Sequence, residues 1–417
     1  MESKRNKKQK PKPTQQQNLP LIYFQKEETP HKLGHCLVHK FERFHKKKNP
    51  QSINPQDQIQ SHNQSQSQNQ SQNQNQNQSL NQSQNQSLNQ NLNTYNINQK
   101  SSKYFPKFVP KVSVIFDKMK AECRIFDPQV QEQEQINQKQ NKNVEIYKNL
   151  PFLHADACPA LALQLQVRNG QYTLDMPQDK FVKLAACVFV IDKNNKILLT
   201  KRASNLRTFP NCWVAPGGRV DENESLEYAV KRELFEETGI NLINERMQNF
   251  IPQSSYSFQA ICLYESISPQ NLTLGHPQNQ NIVLFFALKV QEKAESHKLS
   301  LKLQSSEVEQ ATWVPHNTMS QFHLKTLTGK FNEKEFSHIQ IPSITTILDQ
   351  KLPQEIPINV VLGRYPNLFD EGLGEAHEKA YQALLKEGVY GNEYKPFFQY
   401  LENLEKEIEQ QAIDLEA

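Results

Sequence analysis

The segment from Gly218 to Ile240 constrains the fold of this chain more than any other, because a carboxylate pattern and an apolar pattern overlap in it. Glu233, Glu236 and Glu237 stand at positions i, i+3 and i+4, so a helix brings their side chains to neighbouring places on its surface. An apolar stripe at helical spacing provides contact with a sheet, and its members are Leu226, Ala229, Val230 and Leu234. The segment predicts a helix that packs on a sheet and carries a crowded acidic face.

The acidic face predicts a divalent cation. Three carboxylates this close repel one another unless a cation lies among them, and oxygen ligands suit hard ions such as Mg²⁺ or Mn²⁺. Arg232 precedes Glu236 by four residues and is placed to orient or neutralise the cluster. Gly217 and Gly218 allow the backbone to approach a metal closely, and Gly239 is expected to end the helix.

The same segment matches the pattern G-x5-E-x7-R-E-U-x-E-E-x-G-U at every fixed position and therefore resembles the Nudix box. The resemblance implies an α/β/α sandwich around a mixed sheet, and a hydrolase that uses Mg²⁺ or Mn²⁺ to cut a diphosphate bridge in a nucleoside-diphosphate-linked substrate. The metal ligands that it implies are Gly218, Glu233, Glu236 and Glu237. The catalytic residues that it implies are Glu224, Arg232, Glu233, Glu236 and, from a later loop, Glu307.

Two segments that flank the box indicate the substrate. Residues 198–211 and 263–286 resemble those of Nudix members that hydrolyse the m7GpppN cap of mRNA to 7-methyl-GDP and a 5′-monophosphate RNA. The upstream segment also nearly fits the coenzyme A subgroup, from which Asn211 and Ala215 depart, so CoA or NAD(H)-type dinucleotides are the alternative. A module that binds a nucleotide without cutting it is disfavoured, because every glutamate of the box is intact.

Several residues outside the box are candidates for substrate contact. Cationic side chains bind phosphates by charge and, for arginine, by bidentate geometry, and aromatic rings stack on bases. The candidates are Lys201, Arg202, Arg207, Tyr264 and Phe285. For each of them, the alternative to substrate contact is a structural role on a strand or in the core. Glu307 is likewise either a base of the reaction or an exposed loop carboxylate.

Hydrophobic runs and turn residues predict the sheet. The run Ile282–Val290 is apolar on both faces, as expected in the middle of a covered sheet. Residues 192–195 read as a hairpin turn. The predicted strands are Leu184–Ile191, Lys196–Thr200, Ile261–Ile267 and Ile282–Val290.

A tract of Gln, Asn and Ser over residues 49–100 divides the chain. It has no apolar periodicity and cannot offset the entropy of ordering, so we expect it to be disordered, like a shorter polar tract over 129–143. The remaining predicted parts are a basic disordered tail (1–20), a small N-terminal module (21–48 and 101–178), a Nudix domain (181–320) and a C-terminal, mostly helical extension (321–417).

Three histidines precede this tract. His31, His35 and His39 fall at i, i+4 and i+8 beside Cys36, so helical spacing would place them on one side. Zinc ligand sets normally include a second, separated pair, which this segment lacks. The sequence therefore favours a structural role for these residues.

Charge and cysteine usage limit the partners and the compartment. The net charge is +4, and the basic clusters Lys4–Lys12 and Lys46–Lys48 either bind RNA or form a solvated tail. The six cysteines form no C-x-x-C pair, which is typical of reduced thiols. No apolar run has the length of a membrane span, and Asp414–Ala417 is not a peroxisomal address. We expect a cytoplasmic protein, with the nucleus as the alternative, that binds a nucleotide-type substrate such as capped RNA and no membrane.

Overall fold

The computed structural model describes residues 20–24, 30, 36–41, 109–128, 142–168, 181–269, 272, 277–291, 299–328, 331–347, 350–366 and 370–387. The predicted tract over 49–100, most of the basic tail, and the chain after residue 387 lie outside these ranges. None of the helices in the described ranges has both the length and the apolar character needed to cross a bilayer.

Fourteen strands lie in the described ranges. They are β1 (Leu21–Phe24), β2 (Lys111–Asp117), β3 (Glu122–Phe126), β4 (Val144–His154), β5 (Lys183–Ile191), β6 (Lys196–Arg202), β7 (Cys212–Val214), β8 (Gly217–Arg219), β9 (Tyr256–Ser268), β10 (Asn279–Val290), β11 (Val308–Pro315), β12 (Gln340–Ile347), β13 (Gln350–Pro357) and β14 (Gly372–Leu373). The four predicted strands are confirmed as β5, β6, β9 and β10, each with additional residues at one end or both.

The helices are α1 (Pro159–Arg168), α2 (Leu226–Thr238), α3 (His316–Leu327), α4 (Glu333–Phe336), α5 (Ile358–Leu362) and α6 (Glu375–Lys386). A short helix also covers residues 37–41, and a 3₁₀ turn covers Gln253–Ser255.

One mixed sheet contains all of the strands. Its order is β1-β3-β2-β4-β9-β10-β5-β6-β11-β12-β13, with β8 paired to β5, β7 to β6 and β14 to β7. At its centre β10 pairs in parallel with β5 and antiparallel with β9. The apolar character of β10 on both faces agrees with this central position.

Residues of β5 alternate between two cores, one on each face of the sheet. Val188 and Val190 pack in the core that contains the apolar side chains of α2. Phe189 and Ile191 pack in a second core with residues of α3 and α6, such as Tyr381. Helices therefore cover both faces of the sheet, and the expected α/β/α sandwich around a mixed sheet is confirmed.

The N-terminal strands extend the central sheet rather than forming a module with its own core. Phe152 of β4 pairs in parallel with Leu263 of β9, and β4 also pairs with β2. Ile22, Phe41 and Phe152 belong to the same core as Val188. The part of the chain predicted as a small N-terminal module therefore shares one core with the central sheet.

In the part that the structure describes, the chain after residue 321 contains strands as well as helices. β12 and β13 form an antiparallel hairpin that adds to the sheet at the edge of β11. Ile341 and Ile356 are buried in the second core, so the hairpin also closes that face. The predicted domain end at residue 320 lies inside α3, and the sheet continues beyond it because β12 pairs with β11.

Candidate active site

Helix α2 forms as its sequence predicts. The Ser225 hydroxyl accepts a hydrogen bond of 3.1 Å from the backbone N–H of Tyr228 at the N-terminal end. At the C-terminal end Gly239 has φ 75°, a left-handed conformation that glycine adopts without steric cost, and its N–H donates to the Phe235 carbonyl. All four residues of the apolar stripe are fully buried: Leu226, Ala229, Val230 and Leu234.

A carboxylate from β4 provides a second cap for α2. Glu145 accepts hydrogen bonds from the backbone N–H groups of Leu226 (2.7 Å) and Glu227 (3.3 Å). The Tyr147 hydroxyl donates to the same carboxylate at 3.0 Å. Burial raises the pKa of Glu145, while these hydrogen bonds act to lower it. The position of α2 therefore depends on a strand far upstream, and no local pattern in the sequence signals this cap.

Three carboxylates converge beside the start of β8. Ligand oxygens of Glu233, Glu237 and Glu307 all lie within 4.8 Å of one another. The Glu237 side chain is buried, and it accepts a hydrogen bond of 3.3 Å from the Gly217 N–H. Burial, followed by the charge of Glu233, raises the pKa of Glu237 to about 8. Such a cluster of oxygen donors fits a hard divalent cation, which would relieve the repulsion.

Gly218 lies directly against this cluster. A Cβ atom at Gly218 would lie 2.5 Å from the carboxylate carbon of Glu233, so a larger residue would push that carboxylate aside. Glycine is therefore needed at this position because a Cβ atom has no room beside the Glu233 carboxylate.

Arg232 connects the acidic residues to one another. Its Nε and Nη2 donate to the two oxygens of Glu224 at 2.7 and 2.9 Å. Its Nη1 donates to Glu233 at 2.8 Å and to Glu236 at 3.0 Å. This geometry agrees with the orienting role expected for Arg232 and with a place for Glu224 behind the cluster.

The structure groups Glu307, and not Glu236, with the other two carboxylates. The Glu236 side chain is 48% exposed and is directed toward Arg232. Glu307 is exposed and comes from the loop before β11, as the resemblance implied. The assignment of Glu236 as a metal ligand stays a prediction, while Glu307 gains a position beside Glu233 and Glu237.

The cationic candidates for substrate contact lie in three different environments. Lys201 is 8% exposed in its side chain and forms ion pairs with Glu371 (2.8 Å) and Glu309 (3.6 Å), so a phosphate would have to displace these partners. Arg202 is half-buried, donates to the Thr208 carbonyl at 3.2 Å, and acts to lower the pKa of Glu237, which places its charge near the cluster. Arg207 is exposed.

The two aromatic candidates lie in the core, and their prediction as base-stacking residues is wrong. Tyr264 is 1% exposed and Phe285 is fully buried. The Phe285 ring stacks on Phe189 with centroids 6.0 Å apart and meets the His377 ring edge-on at 5.2 Å. Helix α6 covers the face of the sheet that these rings occupy, and a base cannot reach them.

Two residues beyond position 370 support the loop before β8, and no local pattern in the sequence signals either of them. His377 Nδ1 accepts a hydrogen bond of 3.0 Å from the Ala215 N–H, and burial lowers the pKa of His377 to about 3, so the ring is neutral. Glu371 accepts from Trp213 Nε1 at 3.4 Å as well as from Lys201. The loop that leads to the acidic cluster is therefore held by the chain beyond residue 370.

Comparisons with known proteins find relatives of this chain. A family model described as the NUDIX domain matches residues 182–336. The m7GpppN-mRNA hydrolase NUDT17 of Danio rerio is 30% identical over 234 residues, which cover 53% of this chain and 71% of that protein. The protein of the same name from Bos taurus is 33% identical over 165 residues, which cover 40% of this chain and about half, 51%, of the relative.

Solved structures also match parts of the chain. The MutT protein from Methanosarcina mazei Go1 is 23% identical with a TM-score of 0.25, and the match covers 36% of this chain and 85% of that protein.

Proposed function

We propose that this chain, which belongs to the Nudix family of hydrolases, cuts the m7GpppN cap of mRNA in the presence of Mg²⁺ or Mn²⁺. The products would be 7-methyl-GDP and RNA with a 5′-monophosphate. One water molecule is consumed, the P–O bond between the diphosphate of the 7-methylguanosine side and the phosphate of the first nucleotide breaks, and the oxygen of water stays on one of the two phosphates.

The convergence of Glu233, Glu237 and Glu307 carries the proposal. Carboxylates this close, one of them buried, are costly to keep ionised unless a cation joins them. The choice of the cap rests on the relatives, because similarity to two proteins named m7GpppN-mRNA hydrolase extends well beyond the box.

The residues that would hold the cation are Glu233 and Glu237, with the Gly218 carbonyl and Glu236 as the further expected ligands. A bound divalent ion acidifies water and neutralises charge on the bridging phosphates. Glu237 is buried and Glu307 is exposed, so a substrate would reach the cluster from the side of Glu307.

Other residues of the chain orient the carboxylates and move a proton. Arg232 donates four hydrogen bonds of 2.7 to 3.0 Å to Glu224, Glu233 and Glu236. These bonds fix the acidic face before the substrate arrives. Glu307 lies in the loop before β11, not on α2, and it is exposed. It is therefore suited to accept the proton of the attacking water.

The experiment that tests the proposal compares substrates. The purified full chain is incubated with Mg²⁺ or Mn²⁺ and with one substrate per reaction: capped RNA, CoA, NADH or ADP-ribose. The products are identified by mass spectrometry. We expect 7-methyl-GDP and 5′-monophosphate RNA, and a higher kcat/KM for capped RNA than for the other substrates. If CoA or NADH were cleaved efficiently while capped RNA stayed intact, the choice of the cap as substrate would be overturned, but the assignment as a hydrolase would stand. Binding without any cleavage would overturn the catalytic proposal.

A further inference from the structure

A second group of metal-ligating side chains lies apart from the acidic cluster. One ligand atom each from Cys36, His39, His154 and Cys158 lies within 4.8 Å of the other three. The two cysteines are 3% and 2% exposed, and the two histidines are half-buried. In a tetrahedral site with Zn–S bonds of about 2.3 Å, ligand atoms stand roughly 3.5 Å apart, so small side-chain movements would bring these four to an ion.

The four residues come from two distant parts of the chain. Cys36 and His39 lie at the short helix over residues 37–41, whereas His154 ends β4 and Cys158 immediately precedes α1. The spacings are therefore Cys-x2-His and His-x3-Cys. The second, separated pair that is missing near His39 in the sequence is supplied by the fold.

Direct contacts within the group bring the donors together. His39 Nδ1 lies 2.9 Å from Cys36 Sγ. The rings of His39 and His154 meet nearly at right angles, at 76°, with centroids 4.7 Å apart.

Neighbouring residues hold both pairs in place. Glu265 of β9 is buried and accepts hydrogen bonds from the backbone N–H groups of Leu37 (2.8 Å) and Val38 (3.4 Å) and from Gln280 Nε2 (2.7 Å). His154 stands opposite Glu265 in the β4–β9 pairing. One carboxylate thus fixes the turn that carries Cys36 and His39 beside the strand that carries His154.

Helix α6 holds the loop between His154 and Cys158. The Asp156 N–H donates to Glu375 at 2.9 Å, and the Asp156 carboxylate pairs with Lys379 and with Arg364 at 3.3 Å. Such support around the ligand-bearing segments is what orients donors in structural metal sites.

We propose that Cys36, His39, His154 and Cys158 form a structural zinc site. Two thiolates and two imidazoles are a closed tetrahedral ligand set that suits Zn²⁺, whereas Mg²⁺ requires oxygen ligands. The site is therefore chemically distinct from the acidic cluster and would not exchange ions with it. Because four protein ligands leave no open position, its role is to fasten the segment around Cys36 to the β4–α1 loop.

The test measures metal content and does not depend on activity. The full chain is purified without chelators and without a histidine tag, and its metals are quantified by mass spectrometry. We expect about one zinc per chain in the wild type and about none in Cys36→Ser/Cys158→Ser. The matched control is Cys123→Ala/Cys262→Ala, which changes two buried cysteines outside the group and should keep its zinc.

A measurement on the wild type alone covers the case in which the double variant fails to fold. Replacement of zinc by Co²⁺ should give visible absorption typical of tetrahedral cobalt bound to thiolates. A zinc chelator should lower the melting temperature, and added Mg²⁺ should not restore it. A wild-type chain that contains no zinc and takes up no Co²⁺ would overturn the proposal. A Cys36–Cys158 disulfide in the purified protein, or zinc retained by Cys36→Ser/Cys158→Ser, would overturn it as well.

Discussion

Glu145 of β4 accepts a hydrogen bond of 2.7 Å from the backbone N–H of Leu226, the first residue of the helix that carries the acidic cluster. Glu145 lies outside the 182–336 segment that the family model matches. A carboxylate at a helix N-terminus satisfies backbone donors and interacts favourably with the helix dipole. The upstream strands therefore contribute to the placement of the active-site helix.

Replacement of Glu145 by alanine should destabilise the protein by about 1–2 kcal/mol, because two N–H groups of α2 lose their acceptor. Glu145→Gln keeps an acceptor oxygen and should destabilise the protein by less than Glu145→Ala does. The measurement is the free energy of unfolding in urea, with Glu355→Ala as an exposed control. Equal stabilities for Glu145→Ala and the wild type would contradict a capping role.

Replacement of Arg232 by lysine should lower kcat by roughly 10²-fold with a smaller change in stability. Lysine keeps the positive charge, but it has one nitrogen and cannot donate to Glu224, Glu233 and Glu236 at once in the geometry of a guanidinium. Steady-state kinetics on capped RNA checks this. A wild-type kcat in Arg232→Lys would show that charge alone suffices.

The sequence predicts the active-site helix well because its determinants are local. The stripe from Leu226 to Leu234, the glycine at 239 and the spacing of the glutamates all act within one segment, and the structure agrees with each. The late loop with Glu307 was accessible only through the family resemblance, since nothing in its own composition indicates contact with Glu233.

The errors in prediction come from contacts between distant segments. Tyr264 and Phe285 are predicted as base-stacking residues on strands whose second face is, in the structure, covered by α6. The caps and supports from Glu145 and His377 likewise join residues far apart in the chain. A pattern of single residues cannot predict which helix covers which face without the tertiary arrangement.

The buried ion pair of Lys201 predicts a structural role instead of a phosphate contact. Lys201→Met should leave the KM for capped RNA within about twofold of the wild type, while the melting temperature changes because Glu371 loses its partner. Arg202→Met serves as the comparison, since its charge lies near Glu237 and its KM is expected to rise. A large rise in KM for Lys201→Met would restore the original prediction for this residue.

Acid should destabilise the folded chain through His377. Its pKa in the folded state, about 3, lies below the ordinary value of 6.5. The unfolded chain therefore binds more protons between these values, and stability falls as the pH is lowered from about 6.5 toward 3. One such group contributes a slope of up to about 1.4 kcal/mol per pH unit.

His377→Asn isolates this effect, because its amide oxygen can accept from the Ala215 N–H but does not titrate. The difference in unfolding free energy between wild type and variant should shrink as the pH falls from 6.5 to 4. A difference that is independent of pH would mean that His377 does not resist protonation in the folded state.

The most direct test of the central claim is the rate of 7-methyl-GDP release from capped RNA by the wild type and Glu233→Gln at saturating Mg²⁺. Glu233 contacts both Arg232 and the other carboxylates of the cluster, so we predict a rate lower by roughly 10²–10³-fold with an unchanged circular dichroism spectrum. Glu227→Gln changes a carboxylate on the same helix that pairs with Lys231 and should retain the wild-type rate. A near wild-type rate in Glu233→Gln would contradict the account, as would a wild type that releases no 7-methyl-GDP.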